Sequence, residues 1–187
     1  MEDRLKNIVF SKNAVEFVTV AVQYCGYLEN LDEEEALVTD KLTKLLPLLY
    51  LKATMLPESE MQDEADPEET VTEDVYNFIL SRVYDIYGQN DTYLEVFLQD
   101  MKYSETPISA SISEDVTDIY QDLKNFITIY ERGVVEYAND ALYICNENFK
   151  AYWGQKLVNV LRALHSLKYS GENDSFDDDF NNIDEAW

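Results

Sequence analysis

The chain has 187 residues, with 38 Asp and Glu against 14 Lys and Arg, a net charge of −24. Its 46% hydrophobic content supports a real core in one domain, or one domain plus tails, while only 5 Gly and 4 Pro argue against a turn-rich all-β fold and against Gly/Pro-rich disorder. The acidity argues against direct contact with nucleic acid or an anionic membrane, since phosphate affinity needs clustered Lys and Arg; one His and two distant Cys make no multi-histidine metal site, zinc site or disulfide framework.

From Asn13 to Asn30 the polar residues Glu16, Thr19, Gln23, Gly26 and Asn30 recur at steps of three and four. That is a narrow polar stripe, and it predicts a helix buried on most sides. The same stripe makes the run from Ala14 to Leu28 a poor signal-peptide core, and nothing reaches the ~20 apolar residues of a membrane span. Cys25 and Cys145 read as free thiols, which points to a reducing cytoplasm.

Asp32 and Glu35 predict a capped start for a second helix, rich in Leu from Leu42 to Leu56, with a kink or short break at Pro47. Pro57 to Glu69 reads as an acidic loop. Thr70 with Glu73 predicts the cap of a helix through Val75, Ile79, Val83 and Ile86, ended by Gly88. Asn90 or Asp91 predicts a further short helix through Tyr93, Leu94, Val96, Phe97 and Met101. After a connector around Pro107, Ser111 with Glu114, or Ser113 alone, starts the longest helical stretch, which Gly133 interrupts and which stops near Lys168. The expected fold is all-α: an antiparallel helical bundle of five to seven helices over residues 1–170. An acidic loop interrupts it, and an acidic amphipathic tail follows over residues 171–187.

The run Phe149-Lys150-Ala151-Tyr152-Trp153-Gly154-Gln155-Lys156-Leu157, continued by Leu161-Arg162-Ala163-Leu164-His165-Ser166-Leu167, resembles the closing segment of a bacterial family known as domain of unknown function 5063. Ala14-Val15-Glu16-Phe17-Val18 and Leu45-Leu46-Pro47-Leu48-Leu49-Tyr50-Leu51-Lys52-Ala53 are similar to its earlier parts. The resemblance covers most of residues 10 to 170. It implies a small, mostly helical, intracellular protein and carries no catalytic residues.

The charge is uneven. Pro57 to Asp74 holds nine acids and no base, and Ser170 to Trp187 holds seven acids and no base. Both segments read as solvated, partly mobile appendages of a moderately acidic body. In the second, Phe176, Phe180, Ile183 and Trp187 fall at i, i+4, i+7 and i+11, an apolar face among acids that folds best against a groove. The groove is on its own bundle or on another protein; without one the segment stays disordered. Asp115 with Asp118, and Glu136 with Asp140, have the helical spacing of Mg²⁺-binding carboxylates, though acids this frequent make such pairs by chance. His165 and Arg162 share a helix face at i, i+3 and read as a partly buried His beside an ion-pairing Arg, or as a base with an anion anchor. The cysteines read as core residues. The 14 Tyr read as boundary packing with wet hydroxyls; the alternative is an aromatic groove using Tyr50, Tyr76, Tyr84 or Trp153.

No catalytic, cofactor-binding or metal residue is assigned. The candidate partner or ligand contacts are Trp153, Arg162, His165, Phe176, Phe180, Ile183 and Trp187. The first functional reading is a protein-interaction or adaptor module whose acidic loop and tail engage a protein partner, a basic one fitting the charge. A small Mg²⁺- or Mn²⁺-dependent hydrolase of nucleotides is the alternative, and a DNA-mimicking polyanion the third.

Overall fold

A computed structural model describes residues 2–62, 68–94 and 109–181, with side chains up to Ser170. Seven α-helices occupy these residues: α1 (Glu2–Val9), α2 (Lys12–Glu29), α3 (Glu35–Thr54), α4 (Glu73–Tyr87), α5 (Ile112–Tyr130), α6 (Val135–Asn148) and α7 (Gly154–Asn181). A two-stranded antiparallel ribbon, β1 (Thr92–Leu94) with β2 (Ser109–Ser111), sits between α4 and α5. The fold is thus an all-α bundle.

Helix α5 is its axis, packed against α2, α4, α6 and α7. Its apolar residues Val116, Ile119, Tyr120, Leu123, Phe126 and Ile127 recur at helical spacing, and all are buried. Ser111 caps it, accepting a hydrogen bond from Glu114 N at 3.3 Å, as the sequence predicts. Buried Asp91 reinforces that start: its carboxylate accepts from Ser113 N and Oγ, both at 2.8 Å. Around this axis α3 packs on α2 and α7, and α1 packs on α6 through buried Leu5 and Val9. Antiparallel order is visible where α2 meets α3, with Lys52 on Glu16 at one end and Tyr27 on Glu33 at the other.

Several expectations change. Residues 92–94 form a strand rather than the start of a helix; β1 pairs Thr92 with Ser111 and Leu94 with Ser109, so the pairing that decides it comes from 15 to 19 positions away. Residues 95–101 of that expected helix lie outside the described residues. Helix α3 begins at Glu35 behind Glu34, with no side-chain cap, and runs through Pro47 without a break. Helix α4 is capped by Thr72, not Thr70. In α2 the wet face is broader than the stripe implied, because Val15 and Val22 are exposed beside it. The acidic loop is tied down at both described ends: Gln62 N donates to Asp140 Oδ1 at 2.8 Å, Thr70 N and Val71 N donate to Asn125 Oδ1 at 2.8 Å, and Val71 is buried. Finally, the last helix passes Lys168 and continues to Asn181.

Gly133, at φ +73°, closes the turn after α5, where a left-handed residue suits glycine. Gly154 answers a different need. Phe149–Trp153 form a π-helical turn joining α6 to α7, and a methyl group at 154 would stand 2.4 Å from the Phe149 carbonyl oxygen. The wider turn adds a residue without breaking the helix. It seats Trp153 in the core, stacked on Phe17 and donating its indole N–H to Cys145 O at 3.0 Å.

Candidate functional site

Two regions concentrate polar chemistry. The first is a stripe on α5: Asp115, Asp118, Asp122 and Asn125, spaced by three, four and three residues on one helix face. Lys156 from α7 reaches between the first two, at 2.8 Å from Asp115 Oδ1 and 3.0 Å from Asp118 Oδ2. The Asp115 side chain is 5% exposed and the Asp118 side chain 15%. Tyr93 from β1 donates to Asp115 Oδ2, while Tyr76 from α4 and Tyr152 from the π turn each donate to Asp118 at 2.7 Å. One turn further on, Asn148 of α6 donates to Asp122 Oδ1 at 2.6 Å.

The electrostatics follow from this geometry. Burial pushes the Asp115 carboxyl above its ordinary value, against the pull of Lys156 and Tyr93. Burial also opposes the charge on Lys156, but its two carboxylates outweigh it and hold the ammonium above its ordinary value. Asp122 has no cation and is pushed up to about 6, chiefly by burial. The Asp115 and Asp118 spacing that suits a divalent cation is therefore filled by a lysine ammonium, hydrogen-bonded from both sides. The other candidate pair does not converge: Asp140 is buried against Gln62 and Asn139, while Glu136 is exposed. Among the described residues no group of three His, Cys, Asp or Glu side chains is arranged to hold a metal ion.

The second region is a groove of about 690 Å³ between α3 and α7. Pro47, Val158, Leu161 and Tyr169 supply apolar surface, and Lys44, Arg162, His165 and Lys168 supply basic groups. Asp40 bridges two of these, accepting from Lys44 at 2.6 Å and Lys168 at 2.9 Å. Arg162 and His165 are both exposed, and among the described residues Arg162 forms no ion pair. The His165 ring rests on Tyr169, with centroids 4.7 Å apart. The expected partly buried histidine is thus a solvent-facing one. Proline at 47 leaves the Thr43 carbonyl without its helical donor, and on the same turn Lys168 donates to Thr43 Oγ1 at 3.3 Å.

The remaining candidates divide. Trp153 is fully buried and 0% exposed, which removes it from any contact surface; the π turn rotates it inward. The side chains of Phe176 and Phe180 lie outside the described residues, as do Ile183 and Trp187 altogether. Tyr24, Tyr87 and Tyr120 are core residues rather than boundary ones, and their hydroxyls meet Val116 O, Thr39 and Glu29 instead of water. Tyr50 packs edge-on against Phe149, and Tyr84 is exposed. Cys25 and Cys145 are buried, free, and pushed up by desolvation, so both behave as small apolar side chains. Lys156 and Tyr152 were missed by sequence reasoning. Their signal was present: Lys156, Val160 and Ala163 fall at i, i+4 and i+7, which aligns the lysine with a buried stripe.

The fold and these two regions define a helical bundle with a largely buried polar cluster around Lys156 and an open basic groove. The chain belongs to the family described as Domain of unknown function (DUF5063), whose model matches residues 8–170. It is also similar to the crystal structure of protein BF1032 from Bacteroides fragilis, with 45% identity and a TM-score of 0.78, covering 87% of this chain and 96% of that one. Among curated proteins none matches this chain. Among the described residues no helix is long and apolar enough to cross a membrane.

Proposed function

We propose that this protein is an interaction module whose α3–α7 groove receives an acidic, amphipathic protein segment. The observation that carries this reading is the combination of Arg162, His165, Lys44 and Lys168 with Pro47, Val158 and Leu161 in one open groove, on a chain of net charge −24. Against such a background a basic groove with an apolar floor stands out in sign, and it selects ligands of opposite charge that also bring apolar side chains. The body over residues 1–170 provides the groove, and residues 171–187 form an appended acidic segment. Protein engagement thus rests on the groove and the tail rather than on the acidic loop, whose described ends are bound to Asp140 and Asn125. The buried free thiols support a reducing compartment, the cytoplasm.

The hydrolase reading has less support, because Lys156 already occupies the Asp115 and Asp118 pair. The polyanion reading weakens too: Asp91, Asp115 and Asp140 are spent inside the bundle rather than arrayed on its surface.

The test uses a fluorescein-labelled helical peptide with Phe and Leu at i, i+4, i+7 and i+11 and Asp and Glu elsewhere, beside a counterpart carrying Lys at every acidic position. Fluorescence anisotropy should show binding of the acidic peptide, weakened by salt and reduced at least about tenfold by Arg162→Glu with His165→Glu. Equal or tighter binding of the Lys peptide, or no effect of the double substitution, overturns the proposal.

A further inference from the structure

Building on the groove reading, we infer that its occupant is the C-terminal segment of a second copy of this chain, so that two copies exchange tails. The segment 171–187 carries seven acids and no base, and its Phe176, Phe180, Ile183 and Trp187 recur on one helical face. The groove offers the complement: three fixed cations, one of them Arg162, which forms no ion pair among the described residues, a histidine on the same helix face, and the apolar Pro47, Val158 and Leu161. Asp40 is engaged by two of these cations, Lys44 and Lys168. The segment lies beyond residues 8–170, which the family model matches.

Chain geometry selects the second copy over the same one. Arg162 and His165 lie on α7, and α7 continues as helix to Asn181. Nineteen helical residues separate Arg162 from Asn181, about 28 Å at the helical rise of about 1.5 Å per residue. The six residues after Asn181 span at most about 21 Å when fully extended. While α7 holds, a chain's own Phe176 and Phe180 stand on the helix that leads away from the groove, and its last residues do not return to Arg162. A second copy has no such constraint. Each copy carries one groove and one segment, so a reciprocal exchange between two copies satisfies both and closes as a twofold dimer. Two linked contacts then reinforce each other through effective concentration.

The experiment is sedimentation equilibrium on the full chain with two charge-reversed variants. One carries Arg162→Glu and His165→Glu in the groove. The other carries Asp177→Lys, Asp178→Lys and Asp179→Lys in the tail. All five positions are solvent-facing or outside the described side chains, and circular dichroism checks that each variant is folded. The expected result is a dimer for the natural chain at low salt that dissociates in high salt. Each variant alone should be monomeric at the same concentration, and an equimolar mixture of the two should recover dimer, held by the groove variant's acidic tail in the tail variant's basic groove; the substituted tail keeps four acids beside its three lysines, so the other contact of the pair adds little. A natural chain that stays monomeric, or a dimer that survives either reversal, overturns the inference. If the acidic peptide still binds through Arg162 while the full chain is monomeric, the groove reading stands and the tail exchange alone falls.

Discussion

The α5 stripe and the α3–α7 groove use the same chemistry to opposite ends. In the stripe, Lys156 meets two carboxylates that are 5% and 15% exposed, and three tyrosine hydroxyls complete the shell. In the groove, Lys44 and Lys168 share one carboxylate in water's reach, and Arg162 projects with no ion pair among the described residues. In the first arrangement protein groups already match the charge of Lys156. It ties β1, α4, α5 and α7 together at one point. The second leaves charge and apolar surface uncovered. What separates a structural ion pair from a binding surface here is the number of unfilled hydrogen-bonding positions and the access of water, since exposed pairs are worth little while buried ones are costly to break.

That contrast can be broken most forcefully at Lys156. Lys156→Met should destabilise the fold by about 3–5 kcal/mol in urea denaturation, because Asp115 and Asp118 are left buried without a cation. A loss below about 1 kcal/mol would mean that the stripe is wetter than its geometry indicates. Gly154→Ala comes next. Its methyl group would press on the Phe149 carbonyl and ring, at 2.4 and 2.8 Å, and disturb the turn that aims Tyr152, so a loss of about 1–3 kcal/mol is expected in the same assay.

Asp122 sharpens the comparison through pH. Its folded carboxyl, pushed up to about 6 by burial, holds a proton between about pH 4 and 6, where the unfolded chain, with a value near 3.8, has released it. The folded state binds more protons in that window, so the contribution of this residue to stability is fully present below it and is lost as pH rises through 6. Asp122→Asn keeps an acceptor for Asn148 and removes the penalty. It should stabilise the protein by about 3 kcal/mol at pH 7 and give no gain below pH 4, measured by urea denaturation at both values. The smallest effect belongs to the groove: Arg162→Ala should shift folding stability by less than about 0.5 kcal/mol, as for other exposed positions, while lowering affinity for the acidic peptide.

Much of the bundle was legible in the sequence. The buried set of α5, the Ser111 cap and the Gly88 and Gly133 stops are local signals, carried by spacing and backbone preference. The Asp115 and Asp118 face was legible as a face, and so was the pairing of Arg162 with His165 on one side of α7. Their surroundings were not. Whether an aspartate stripe meets water, a metal or a lysine depends on Lys156, which lies 41 positions from Asp115. The strand at Thr92–Leu94 was misread for the same reason, since its partner lies across a segment that includes residues 95–108. Trp153 looked like a contact residue because a Trp-Gly pair at a helix start carries no sign of the π turn that rotates it inward.

Periodicity, capping residues and composition by themselves determined an acidic, mostly helical chain with its apolar faces, because those properties are set within one or two helical turns. The tertiary structure alone decided which charges are spent and which remain available. Burial and the arrival of a distant lysine neutralised the α5 stripe, while the meeting of α3 with α7 left basic groups open on an acidic molecule. Desolvation and pairing depend on neighbours brought in by the fold, and no local pattern encodes them.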